Sequence, residues 1–154
     1  MNPVRIALAC LLLASSLGAQ TLIVHPKLDT TVVHPKDHVT VPIVLAGDVG
    51  AVQMTVSYAT TRLTFDSLRA VDPKWTVTSN TTIAGKIVWN AFGVPGVAPP
   101  IIVARAYFTV KSPLGPTSLT PTLAVVGTMR GTNVTTGYTT ERVILCVRAS
   151  GTVC

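Results

Sequence analysis

Few side chains in this sequence could carry out chemistry, and their spacing limits what they could do. Its three histidines, His25, His34 and His38, all lie near the N-terminal end, and "VHPK" occurs twice there. A zinc site needs its ligands to converge on one ion at about 2 Å. His34 and His38 would share a face on a helix, but Pro35 and the surrounding alternation argue for extended chain. Four residues along a strand span roughly 13 Å, so these imidazoles could meet a common ion only around a tight turn. Solvated turn histidines are the simpler reading, and no metal is expected.

Other catalytic groupings are equally sparse. Serine and threonine are plentiful, yet no serine stands in a G-x-S-x-G turn. The six acids run from Asp29 to Glu141 without forming a pair suited to acid–base work across a bond. There is no glycine-rich phosphate loop. The sequence predicts a protein that binds rather than catalyses, with no cofactor. Sequons at Asn80 and Asn133 are glycosylation candidates of low specificity, since Asn-x-Thr arises often in a threonine-rich chain.

The two late cysteines are more informative. In "VILCVRASGTVC", a three-residue loop centred on Ala149-Ser150-Gly151 sets Arg148 against Thr152, Val147 against Val153 and Cys146 against Cys154. Gly151 would then take the loop position that favours positive φ. In an oxidising compartment this register predicts a Cys146–Cys154 disulfide. Two free thiols are the alternative, because not every cross-strand pair meets disulfide geometry.

That compartment follows from the first nineteen residues. "MNPVRIALACLLLASSLGA" carries Arg5, an apolar run from Ile6 to Leu13 and a small-residue end at Gly18-Ala19. This is the pattern of a secretory signal peptide cleaved after Ala19. The run is too short to span a bilayer, so no membrane attachment is expected after cleavage. A lipoprotein reading through Cys10 is the alternative, but Cys10 lies inside the apolar run. Residues 1–19 are thus read as signal and 20–154 as one secreted domain, extracellular or on the surface of a bacterium. Loss of Arg5 lowers the formal net charge from +6 to about +5. The remaining basic residues are scattered rather than lined along one face, which argues against nucleic acid as a partner.

The elements that would position any site are strands. "HVTVPIVL" places Val39, Val41, Ile43 and Leu45 on one face; Pro42 cannot donate to a ladder, so that strand should be at an edge or bulged. "VGAVQMTVSY" sets Val52, Met54, Val56 and Tyr58 against Gln53, Thr55 and Ser57. "RLTFDSLRAV" slips phase between Phe65 and Leu68, as at a bulge. Trp75 and Val77 suggest a short strand, and "GKIVWNAF" another. "IIVARAYFTV" alternates with Ile102, Ala104, Ala106, Phe108 and Val110 inward and Val103, Arg105, Tyr107 and Thr109 outward. Further strands in "TSLTPTLAVV" and "TTERVILCVRA", with no capped helical period, predict an all-β, two-sheet sandwich.

The order of these pieces resembles the cohesin domain. "HPKDHVTVPIVL", "GAVQMTVSYATTRLTF", "GKIVWNAF", "IIVARAYFTV" and "TSLTPTL" follow in the order of that family's strands and cover roughly residues 33–123. The chain departs where cohesins have Tyr-Asp-Pro, here Tyr58-Ala59-Thr60, and where they often have Gly-Asp, here Lys36-Asp37. The resemblance implies a jelly-roll sandwich of about nine strands that docks a dockerin-like module on another exported protein, with a link to polysaccharide binding or breakdown as a further expectation. It places the docking face on the wet side of two strands: Gln53, Thr55 and Ser57, with Lys86, Val88 and Asn90. Ordinary solvent-facing strand residues are the plainer interpretation of these six. With no duplicated calcium loop, surface-layer repeat or sorting tail, the chain reads as a lone receptor. A carbohydrate-binding module is the alternative, with Trp75 and Tyr107 as the polysaccharide platform and Trp89 in the core; a structural or adhesion subunit of the cell surface is a third reading.

Overall fold

The computed structural model describes residues 20–24, 32–47, 49–93 and 101–149, with the backbone alone described for 20–24. The strands are β1 (Gln20–Val24), β2 (Val32–Val33), β3 (His38–Leu45), β4 (Ala51–Tyr58), β5 (Leu63–Ala70), β6 (Trp75–Asn80), β7 (Lys86–Gly93), β8 (Ile101–Val110), β9 (Gly115–Gly127), β10 (Tyr138–Thr140) and β11 (Val143–Val147). One 3₁₀ turn, Thr135–Gly137, precedes β10. The expected signal segment and the loop around Gly151 lie outside the described residues.

Two sheets face each other. One runs β10-β1-β3-β8-β5, the other β2-β11-β9-β4-β7-β6. The alternation read from the sequence becomes the core between them: Val39, Val41, Ile43 and Leu45 from β3, and Val52, Met54 and Val56 from β4, are all buried. Trp89 and Phe108 are the largest fully buried side chains. The rings of Tyr58 and Phe65 each meet Phe108 edge-on, at 5.5 and 5.6 Å between centroids, a favoured aromatic arrangement.

Bulges account for the irregularities. β5 slips register against β8 between Phe65 and Ser67, where the sequence pattern broke. β3 is not an edge strand, since it lies between β1 and β8; its register shifts just after Pro42, between Ile43 and Val44. The extra residue is Val103, which the alternation puts outward. Instead it is fully buried, because a bulge reverses the phase of the strand that contains it.

Two turns replace the devices noted as missing. His34–Asp37 closes through Asp37 N–H donating to the His34 carbonyl at 3.1 Å. Pro35 precedes Lys36, whose φ is +76°, the layout of a type II turn with a lysine where glycine is favoured. The Asp37 carboxylate accepts from His34 N–H at 2.8 Å and sits 3.4 Å from Nδ1 of the same residue. In the second turn, Arg62 and Leu63 N–H both donate to the Ala59 carbonyl at 3.0 Å, and Lys111 Nζ donates to the Thr60 carbonyl at 2.6 Å. One distant side chain, Lys111, and local backbone bonds hold the corner that lacks an Asp-Pro pair.

Candidate functional site

The outer surface of the six-stranded sheet brings the expected docking residues together. β4 and β7 run antiparallel as neighbours in that sheet, between β9 and the edge strand β6. Their register sets Gln53 opposite Asn90, Thr55 opposite Val88 and Ser57 opposite Lys86. The residues between them, Ile87, Trp89 and Ala91 on β7 and Met54 and Val56 on β4, point into the core. Residues one apart on a pleated strand face opposite ways, so all six share one surface. They form three consecutive cross-strand pairs.

β9 and β6 widen this surface. β9 sets Val125, Thr122 and Thr120 against Gln53, Thr55 and Ser57; the shift between Gln53 and Met54 leaves Ala124 as its extra residue. On the other flank, β6 sets Thr78 against Asn90 and Thr76 against Phe92. The outcome is a field of threonine, serine, asparagine and glutamine with apolar points at Val88, Val125 and Phe92. Phe92 is 55% exposed and Val125 40%. Reading the Lys86–Val88–Asn90 alternation one step further reaches Phe92, whereas the β9 residues depend on a bulge that period alone does not reveal. Lys86 is the one charged residue on any described strand of this sheet.

The alternative sugar platform is not assembled. Trp75 is 3% exposed. Its indole lies under Gly93, where an added Cβ would come within 2.5 Å of the ring, so the Trp75 platform is corrected to a core position. Tyr107 is on the outer surface of the other sheet, half-buried, with the Arg69 guanidinium 5.7 Å from its ring centroid. Thr109 Oγ1 beside it donates to Asp66 Oδ2 at 2.8 Å and is 3.2 Å from His38 Nδ1. The two proposed aromatics therefore belong to different sheets, one of them with no exposed ring.

Cys146 on β11 is 6% exposed and pairs in register with Pro116 on β9 and Val32 on β2; Cys154 lies outside the described residues. Among the described residues, no group of three His, Cys, Asp or Glu could hold a metal ion. No described helix is long and apolar enough to cross a membrane.

Known structures share this two-sheet arrangement. A non-cellulosomal cohesin from the hyperthermophilic archaeon Archaeoglobus fulgidus superposes with a TM-score of 0.69 at 14% identity, over 86% of this chain and 93% of that one. The seventh ScaB type I cohesin from Pseudobacteroides cellulosolvens gives 0.68 at 16% identity, over 87% and 95%. The chain has the cohesin fold. The sixth cohesin of Acetivibrio cellulolyticus scaffoldin B, solved in complex with a Cel5 dockerin variant, has the same cohesin fold at a TM-score of 0.67 and 19% identity, over 84% and 99%. No protein-family model matches this sequence, and neither does any curated protein.

Proposed function

We propose that this protein is a secreted, non-catalytic receptor that docks a dockerin-like module of another exported protein on the outer surface of its six-stranded sheet. The observation that carries the reading is the pairing of Gln53, Thr55 and Ser57 with Asn90, Val88 and Lys86 on the neighbouring strands β4 and β7. Such a surface is pre-formed, so a partner loses little to ordering the receptor. Apolar Val88, Val125 and Phe92 among amides and hydroxyls match the makeup of a non-obligate interface. A solved cohesin of the same fold with its dockerin bound supports the choice of partner.

The polysaccharide link would come through the partner rather than through direct sugar binding. Secretion follows from the leader reading of residues 1–19, and a Cys146–Cys154 bond would pin the C-terminal end of the domain. The test is a pull-down from the culture medium of the source organism with wild-type protein and the Gln53→Arg/Asn90→Arg double variant, identifying captured proteins by mass spectrometry. A dockerin-bearing protein retained by wild type alone supports the reading. Equal retention by both would place the interface elsewhere.

A further inference from the structure

The docking surface is not uniform along its length, and one end of it has a charged cleft. β9 extends beyond the last residue of β4, Tyr58, toward Gly115, where its neighbour is β11 alone. The step so formed is a cleft of about 400 Å³ whose lining includes Ser57, Ser118, Thr120, Ile144, Arg62 and Arg142. Ser57 and Thr120 also belong to the docking surface, so the two are continuous. Ile144, 51% exposed, adds an apolar patch.

The cleft is cationic and held in place. Arg62 Nη1 donates to the Pro113 carbonyl at 2.8 Å and also to that of Leu114. Lys111 fixes the same corner through Thr60, and Lys86 stands across from Ser57. Among the described residues, no carboxylate lines the cleft. Asp37 lies before β3, Asp66 on the other sheet and Asp72 between β5 and β6, while Glu141 directly precedes Arg142 in the turn before β11 without lining the cleft. Arginines beside convergent hydroxyls suit a carboxylate, which accepts hydrogen bonds from both donor types. The positive potential would also speed encounter with an acidic partner.

Resting on the docking reading above, we propose that the segment seated on this surface presents acidic side chains at the Tyr58 end, with a carboxylate entering the Arg62–Arg142 cleft. This charge sets the orientation of a partner on an otherwise nearly neutral sheet.

The test is an amide and arginine-Nε NMR titration of the ¹⁵N-labelled protein with a hexaglutamate peptide, and with hexaglutamine and inorganic phosphate as separate arms. Hexaglutamate should move Ser57, Ser118, Thr120 and the Arg142 side chain, and the effect should weaken as salt rises. Arg142→Gln should reduce the affinity at least fivefold, whereas Arg69→Gln on the opposite sheet should leave it unchanged. Equal binding of hexaglutamine, indifference to Arg142→Gln, or shifts spread over every basic residue would overturn the inference. Phosphate binding as tightly as the peptide would overturn it too, making the cleft a free-anion site. A dockerin bound on the sheet without any hexaglutamate response removes this inference alone. Hexaglutamate bound in the cleft with no dockerin bound removes the docking reading and leaves a carboxylate site.

Discussion

Gln53 and Asn90 stand directly opposite each other on β4 and β7, and both point away from the core. Residues paired in this way have Cβ atoms roughly 4.5–5.5 Å apart, so a partner lying across the sheet meets both at once. Two bulky charges placed there would disturb one shared patch rather than two distant points. The core residues beside them, Met54 and Trp89, are untouched by such a change. That separation of surface from core makes the docking proposal testable by mutation without unfolding the protein.

Phe92 tests the apolar part of that surface. Its side chain is exposed, so Phe92→Ala should change unfolding free energy by no more than about 0.5 kcal/mol. Binding of a captured dockerin should weaken by about 1–2 kcal/mol, in the range of an aromatic anchor. Urea melts and calorimetric titration of the same variant report the two quantities. A loss of several kcal/mol of stability would mean that the ring packs inward.

Lys36 tests the turn before β3. A non-glycine residue at φ +76° carries a steric cost of about 1–2 kcal/mol, part of which glycine returns through its freer unfolded chain. Lys36→Gly should therefore raise unfolding free energy by about 0.5–1 kcal/mol. Destabilisation in a denaturant melt would show that the lysine side chain contributes more than the turn costs.

Thr117 tests the core. It is buried on β9, and its Oγ1 has no hydrogen-bond partner among the described residues. An unpaired buried hydroxyl costs about 1–3 kcal/mol, and valine nearly matches threonine in shape. Thr117→Val should stabilise the protein by about 1 kcal/mol in thermal or chemical unfolding; a lower melting temperature would reveal a partner for the hydroxyl.

Both tryptophans are buried, at 3% and 0% exposure for Trp75 and Trp89. Acrylamide should therefore quench the native fluorescence several-fold less than that of the urea-unfolded chain. Soluble polysaccharides should leave the emission unshifted. A shift that saturates with added polysaccharide would return the protein to the sugar-binding reading.

Cys146 and Cys154 would be joined under the proposal of a pinned C-terminal end. Intact-mass measurement should show alkylation at both sites only after reduction. A protein that alkylates twice without reduction would end that proposal.

Much of this was legible in the sequence, for a physical reason. A strand with one buried face writes its orientation as a period of two, so Gln53, Thr55 and Ser57 could be set on one side of their strand, while the resemblance to cohesins implied that Lys86, Val88 and Asn90 share their surface. Bulges erase that signal. Val103 looked outward only because one extra residue in β8 reverses the phase, and Val125 faces out only because Ala124 is extra in β9. Trp75 was a different error. The scarcity of aromatics favoured it as a platform, whereas its indole packs under Gly93 in the core. The cleft between Arg62 and Arg142 had no sequence signal, since it is built by segments far apart in the chain.

The most direct measurement is the affinity of the captured dockerin for wild type and for Gln53→Arg/Asn90→Arg, by calorimetry, with circular dichroism to verify that both are folded. The docking account predicts at least a hundredfold weaker binding by the double variant, about 2.7 kcal/mol. A dissociation constant unchanged by the two arginines in a folded protein would contradict it.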